Sequence, residues 1–442
     1  MLATGIIVLI GSFCTFADAA PKEIFKPVWL TDCSVSLKES YDDNVFLSGV
    51  NPKFFPAKYA APAGGVVALP DAWSWLTTVS PKLGFNFSPL LGDGQVLKNL
   101  SLVYAPDFAV YHDQTSESCN THRWLTSLKA ATGKFSASVD NTLTYVDGSN
   151  VSPLYPGGLY SAFTTAAVRE RREQLQDKSG MTLQYDEEKW FVRATAALAY
   201  YDLMTEQINL TGYQNYCDRA DVNGGGDFGW KISPAFALTL GWRYGHQYQE
   251  QYAFSPDSSS SDYQRILAGF EGRPWKWLEV KVQAGPDLRS YPGDTATHVT
   301  PVNDKSPAKF FGEESFTATL SSANTLTLKG RQWQWVSSTG KVPCYDASGE
   351  LGFHHQFTRQ FGLDLGGRIW TWDYNSGNLT TCHRHDWQYT FNTGATYAIN
   401  AHFSLNAGWS LDLGRNSEEN IANPETREFD RQIVSVGAQL KF

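Results

Sequence analysis

The stretch Phe236-Ala237-Leu238-Thr239-Leu240-Gly241-Trp242-Arg243-Tyr244 puts a large apolar side chain at every even position and a small or polar one at every odd position. A period of two over that length predicts a strand with one greasy and one polar face. The same alternation sets Leu278, Val280 and Val282 against Glu279, Lys281 and Gln283. It sets Phe403, Leu405, Ala407 and Trp409 against Ser404, Asn406, Gly408 and Ser410. It runs to the last residue, with Val434, Val436, Ala438, Leu440 and Phe442 on one face and Ser435, Gly437, Gln439 and Lys441 on the other. Apolar residues are therefore dispersed singly. Of the 442 residues only 18% are charged, yet no continuous runs mark a soluble core, and no fixed repeat marks a solenoid.

The strands come in pairs joined by short turns. These are expected at Ala131-Thr132-Gly133, Asp186-Glu187-Glu188, Ser233-Pro234-Ala235, Gly272-Arg273-Pro274, Ser322-Ala323-Asn324, Thr358-Arg359-Gln360 and Ile399-Asn400-Ala401, with a longer one over Leu90–Gly94. Long polar links, such as 41–72, 146–165, 203–225, 249–260, 291–308 and 415–429, separate the pairs. A single strand near 31–40, eight hairpins and a last single strand make about eighteen, with sixteen the alternative. An even count with short turns at one end and long loops at the other describes an all-β, antiparallel bacterial outer-membrane barrel. In lipid, closure pairs every backbone polar group, and the apolar faces point outward. Trp73, Trp75, Phe85, Phe87, Trp190, Trp230, Trp275, Trp277, Trp387 and Trp409 fit the aromatic girdles at the two lipid boundaries.

Residues 1–19 read as a signal peptide: Ile6–Ile10 form a short apolar core, and Ala17-Asp18-Ala19 a cleavage signal. Residues 20–442 then form one barrel domain. The net charge of −9 offers no basic face for nucleic acid. Five cysteines remain in that domain, Cys33, Cys119, Cys217, Cys344 and Cys382; their pairing is open, and an odd count leaves one over. Neither Cys382-His383-Arg384-His385 nor His354-His355 has zinc-site spacing, so no metal or cofactor is expected. His112-Asp113 and His246 lack a serine elbow or an acid/base pair, so no enzyme is expected.

A barrel this wide leaves room for an aqueous channel. The alternation assigns Lys82, Asp107, Arg193, Lys231, Arg243, Arg265, Glu279, Lys281, Lys329, Arg331, Asp364 and Arg368 to its inner wall. Cations outnumber acids there, against the sign of the whole chain. Two compatible roles are open: a field favouring anions or acidic sugars, and cross-strand ion pairs that stiffen the wall. Loop residues 41–72, with Phe54, Phe55 and Pro56, and 146–165, with Pro153, Tyr155, Pro156 and Tyr160, are long enough to fold inward. Trp370 is an inner-wall aromatic able to stack on a sugar ring.

Two short segments carry resemblances. The ending Val436, Ala438, Leu440, Phe442 resembles the C-terminal sorting signal of outer-membrane barrels, which the barrel-assembly machinery reads. The first strand running into Tyr41-Asp42-Asp43-Asn44 resembles the opening of the putative outer-membrane β-barrel porin family, β-barrel porin 2. That resemblance implies a porin-like barrel and carries over no catalytic residue. Asp42, Asp43 and Asn44 read as a turn-forming cluster, with a loop-start cation site as the other reading. The expectation is a passive channel for small hydrophilic solutes, with an anion or saccharide preference, set in lipid and lipopolysaccharide. A homo-oligomer is compatible with it. The alternatives are a non-conducting adhesive or structural barrel and a polysaccharide export channel.

Overall fold

The structure, a computed structural model, describes residues 27–45, 47, 54–55, 67–68, 73–90, 96–148, 171–204, 216–251, 259–291, 308–336, 343–375, 383–418 and 429–442. The strands are β1 Leu30–Asp42, β2 Ser74–Asn86, β3 in two parts (Leu97–Tyr104 and Asp107–Tyr111), β4 Cys119–Thr132, β5 Phe135–Asp147 and β6 Gln174–Asp186. They continue as β7 Trp190–Asp202, β8 Arg219–Ser233, β9 Phe236–Gln249, β10 Ser261–Trp275, β11 Leu278–Ser290 and β12 Ala308–Ser321. The last six are β13 Asn324–Val336, β14 Pro343–Gln356, β15 Phe361–Asn375, β16 His383–Ala398, β17 Phe403–Glu418 and β18 Phe429–Lys441. The break in β3 falls at Ala105-Pro106, where proline has no N–H to give the ladder.

Each strand pairs antiparallel with the next, and β1 pairs with β18 from Ser34 opposite Lys441 to Asp42 opposite Ile433. The eighteen-stranded barrel is closed. The short turns, the ends of β1 and β18 and the Trp29 ring all lie at one end. There the Phe442 N–H donates to the Cys33 carbonyl at 2.9 Å and the Asn86 N–H to the Trp29 carbonyl at 2.7 Å.

The faces are inverted relative to a soluble protein. On β9, Leu240 is 60% exposed and faces out, whereas Arg243 faces in and is 9% exposed. Trp75, Trp230, Ile266, Leu351, Ile369 and Val436 share the outer face. Only lipid satisfies such a surface, and the protein is a bacterial outer-membrane barrel. The girdle aromatics meet as expected at the short-turn end, where Phe85 stacks between Trp29 and Phe87 and Trp275 on Trp277. Trp409 instead sits well inside β17.

Two features depart from the sequence reading. The turn expected at Gly272-Arg273-Pro274 is a bulge: pairing jumps from Gly272/Val280 to Trp275/Leu278, and the chain reverses at Lys276-Trp277. Gly272 has φ +115, and a Cβ there would collide with the Ala235 carbonyl, so the kink requires glycine. The second feature is a pinch. β9 and β13 touch across the interior although three strands separate them around the wall. Gln247 Nε2 and Arg289 Nη2 each donate to the Gln334 carbonyl at 3.0 Å, and Gln334 Nε2 donates to the Tyr291 hydroxyl at 2.8 Å. The end of β13 is therefore buried on both faces. Gln334 faces the curled lobe of β9–β11, while Trp333 and Trp335 pack with Leu267, Phe311, Trp372 and Tyr374.

The expected signal peptide, Pro153, Tyr155, Pro156, Tyr160 and Cys382 lie outside the described residues. Phe54–Phe55 pairs with Val67–Ala68 in a short ribbon. Cys33 carries a free thiol in β1. His354 and His355 point to opposite faces of β14, toward Asp364 at 2.7 Å and Asn324 at 2.6 Å.

Candidate functional site

The Tyr41–Asn44 motif closes the barrel seam. Asp42 is fully buried and takes two bonds from Arg431, from Nε at 3.0 Å and Nη2 at 2.6 Å. It also accepts the Asn44 N–H at 3.1 Å, which is an Asx turn. The Asn44 amide donates to the Asp430 carbonyl at 2.8 Å, and Asp43 accepts the Gln432 N–H at 2.6 Å. Burial pushes the Asp43 carboxyl up from its ordinary range. The cluster spends its oxygens on β18 and the turn, which favours the turn reading over a cation site.

The strand register sets the twelve charged residues on the face opposite the exposed apolar one, and most have partners there. Lys82 meets Asp32 at 2.6 Å. Asp107 holds Arg123 at 2.6 Å and the Ser80 hydroxyl. Lys231 bonds Asp186 and the Glu187 carbonyl. Arg193 binds Asp227 at 2.9 Å and Glu271 at 2.8 Å, and Arg243 reaches the other Asp227 oxygen at 2.7 Å. Arg265 shares Asp287 with Arg289, each at 2.9 Å. Glu279 meets Arg273 at 2.8 Å near the short-turn end, and Asp364 meets His354. Arg331 lies 4.0 Å from Asp346 and over the Trp333 ring. Asp227, Glu271, Asp287, Arg289 and Gln247 were not singled out from sequence. Strand parity alone could have placed them inside, but not told which would meet.

Lys281, Lys329 and Arg368 are different: among the described residues none has an ion pair. They fall on one continuous register row. Lys281 lies opposite Ser315, Ser315 opposite Lys329, Lys329 opposite Glu350, and Glu350 opposite Arg368. The row goes on through Thr390 and Asp412 to Arg431 at the seam. Lys281 is near the short-turn end of β11, and Arg431 near the long-loop end of β18. Because strands in such barrels tilt by about 40°, a row perpendicular to them climbs the inner wall as a diagonal.

Midway along the diagonal, β13–β16 line a recess of about 510 Å³ that contains Lys329, Glu350, Arg368, Thr325, Thr390 and Asn392. Above it the wall is aromatic. Trp370 and Trp372 have centroids 4.5 Å apart, Trp333 and Trp335 4.4 Å apart. Arg368 lies over Trp370, and Arg219 over both Trp335 and Tyr201. Cations laid on ring faces leave guanidinium edges and ring surface to a passing solute.

On the outer wall, His112 Nε2 lies 2.9 Å from the Thr77 hydroxyl and 3.6 Å from Glu39. The carboxylate shares the nitrogen that faces the hydroxyl, whereas a relay needs it on the other. His246 meets Asp262 at 2.8 Å. Among the described residues no cluster fit for a metal occurs.

No family model and no curated protein matches the chain. Solved structures do. Pseudomonas aeruginosa OpdQ aligns at 11% identity and TM-score 0.42, covering 93% of this chain and 98% of its own. P. aeruginosa OccK2 (OpdF), solved with glucuronate, aligns at 12% and 0.41 with the same coverage. The siderophore receptor PirA from Acinetobacter baumannii aligns at 10% and 0.40, covering 93% of this chain and 81% of its own. Likeness at this level says nothing of what this chain binds.

Proposed function

We propose that the protein is a passive outer-membrane channel for small hydrophilic solutes with a preference for anions. The diagonal row carries this reading: among the described residues it holds three cations without ion pairs, Lys281, Lys329 and Arg368, against two carboxylates without them, Glu350 and Asp412, spaced along a continuous inner track. Most of the other charges singled out on this wall are already paired, so the row adds uncompensated cationic charge along the path of a solute anion. The recess and the indole faces above it suit ring-bearing acids, sugar acids among them. The Tyr41–Asn44 resemblance to β-barrel porin 2 supports the same reading, and the outward Val436, Ala438, Leu440, Phe442 face is the segment that assembly machinery would read.

The filled lobe behind β13 favours a second reading, a plugged structural barrel, because Gln247, Asp287 and Gln334 are fully buried inside the wall. One experiment separates the two. Refolded protein in a planar bilayer under a salt gradient is expected to give steady steps with an anion-selective reversal potential. Lys329→Glu with Arg368→Glu should move that potential toward cation selectivity. A folded, heat-modifiable barrel without steps would establish the plugged reading. Steps whose selectivity ignores the double substitution would remove the row from the path.

A further inference from the structure

We infer that the outer wall at β12–β14 is the contact between two copies of this chain, related by a two-fold axis that passes beside Glu314. The register sets Glu314 opposite Val282 on one side and Gly330 on the other, with Gly330 opposite Gly349 and Gly349 opposite Ile369. Ile369 faces lipid, as do Phe310, Leu328 and Leu351, so Glu314 faces lipid too. Leu320 marks the short-turn boundary six residues away, about 15 Å along the membrane normal for a tilted strand, well inside an apolar band of about 25 Å. Among the described residues Glu314 has no hydrogen bond or ion pair. An ionisable group at that depth points to a partner.

The surroundings say what shape the partner has. The Glu314 carboxyl lies across Gly330, where a Cβ would come within 2.2 Å of its oxygen, and a Cβ at Gly349 would meet nothing within 4 Å. The carboxyl therefore covers Gly330, and beside it a shallow trough opens at Gly349, rimmed by Leu328, Leu351, Phe310 and Ile369. Troughs of this kind let two backbones approach closely in lipid. A second copy in the same membrane has its two-fold axis along the membrane normal, so a residue beside that axis meets its own twin at its own depth. The carboxyl suits such a meeting: two of them share protons across the axis, each donating one O–H and accepting one. A described outward cation at this depth, the other solution, is not present on this wall.

The test is the oligomeric state of refolded protein in lipid nanodiscs and mild detergent, with heat-modifiable migration as the check that each variant is folded. Wild type is expected to be dimeric and to form disulfide-linked dimers through Leu351→Cys but not through Leu198→Cys on the far wall. Glu314→Gln keeps the dimer, because paired amides also donate and accept across an axis. Glu314→Ala weakens it by about tenfold. Gly349→Trp, which fills the trough from the lipid side, weakens it as well and serves if the alanine variant fails to fold. Monomeric wild type in lipid would overturn the inference. So would a dimer indifferent to Glu314→Ala and Gly349→Trp, or one cross-linked through Leu198→Cys, which would place the contact elsewhere.

Discussion

Among the described residues, Asp218 is a carboxylate at the loop end of the barrel whose surroundings bring its titration into an accessible range. Asp218 precedes β8, accepting the Leu203 N–H at 2.8 Å while its own N–H donates to Glu250 at 3.1 Å. Burial, opposed by that Leu203 bond and reinforced by Asp202 and Glu250, pushes its carboxyl up to about 6. The folded protein then holds a proton that the unfolded chain, with an ordinary aspartate near pH 4, has released. Stability from this group is full below about pH 4 and is lost as pH rises through about 6. Urea midpoints compared at pH 4.5 and 7.5 should fall less for Asp218→Asn than for wild type; parallel falls would place the titration elsewhere. Nothing in the sequence marks Asp218, because the three carboxylates come from separate links and meet only when β7, β8 and β9 align.

Within an element, parity was legible and curvature was not. Alternation places Trp333 and Trp335 inside β13, where they are, with Trp370 facing them from β15. It gives no sign that Gln334, on the opposite face, is also buried, since that follows from three intervening strands curling until β9 reaches β13. The Gly272 bulge escaped for a related reason: Gly-Arg-Pro chemistry fits a turn and a kink equally, and only the pairing of Trp275 with Leu278 decides. The inward end of β13 also has a functional consequence. Trp335 is 5% exposed, stacked on Trp333 and covered by Arg219. Trp335→Ala should cost about 3–5 kcal/mol of stability and raise single-channel conductance by removing the bulk beside the track. Unchanged conductance in a destabilised barrel would show that the conducting path runs clear of β13.

At the scale of the whole molecule, strand number and orientation were readable because short turns and long loops alternate. Register was not, because each hairpin fixes only its own pairing. The diagonal row is thus invisible in sequence: Lys281, Lys329 and Arg368 look like scattered inner charges until four strand pairs are aligned. The closing ladder of β1 on β18 is reinforced by the Asp42–Arg431 pair, 389 residues apart in the chain, buried, and held by two bonds. Removing one partner of such a pair strands the other. Asp42→Ala should cost about 3–5 kcal/mol, read as a lower urea midpoint with unaltered strand content. The double variant Asp42→Ala with Arg431→Leu should recover part of that loss; equal midpoints for the single and double variants would mean the pair is not what stabilises the seam.

That seam also sets the order of assembly. Its two strands are the first and last of the sheet, so every intermediate on the way is an open ribbon with two bare edges, each a template for the wrong neighbour. Loop closure over roughly four hundred residues is slow to find by chance. A chain exported one end first therefore arrives in the periplasm with β1 waiting for a partner that is made last. Losing β18 would leave an unclosed ribbon with two permanent edges, and no smaller pore.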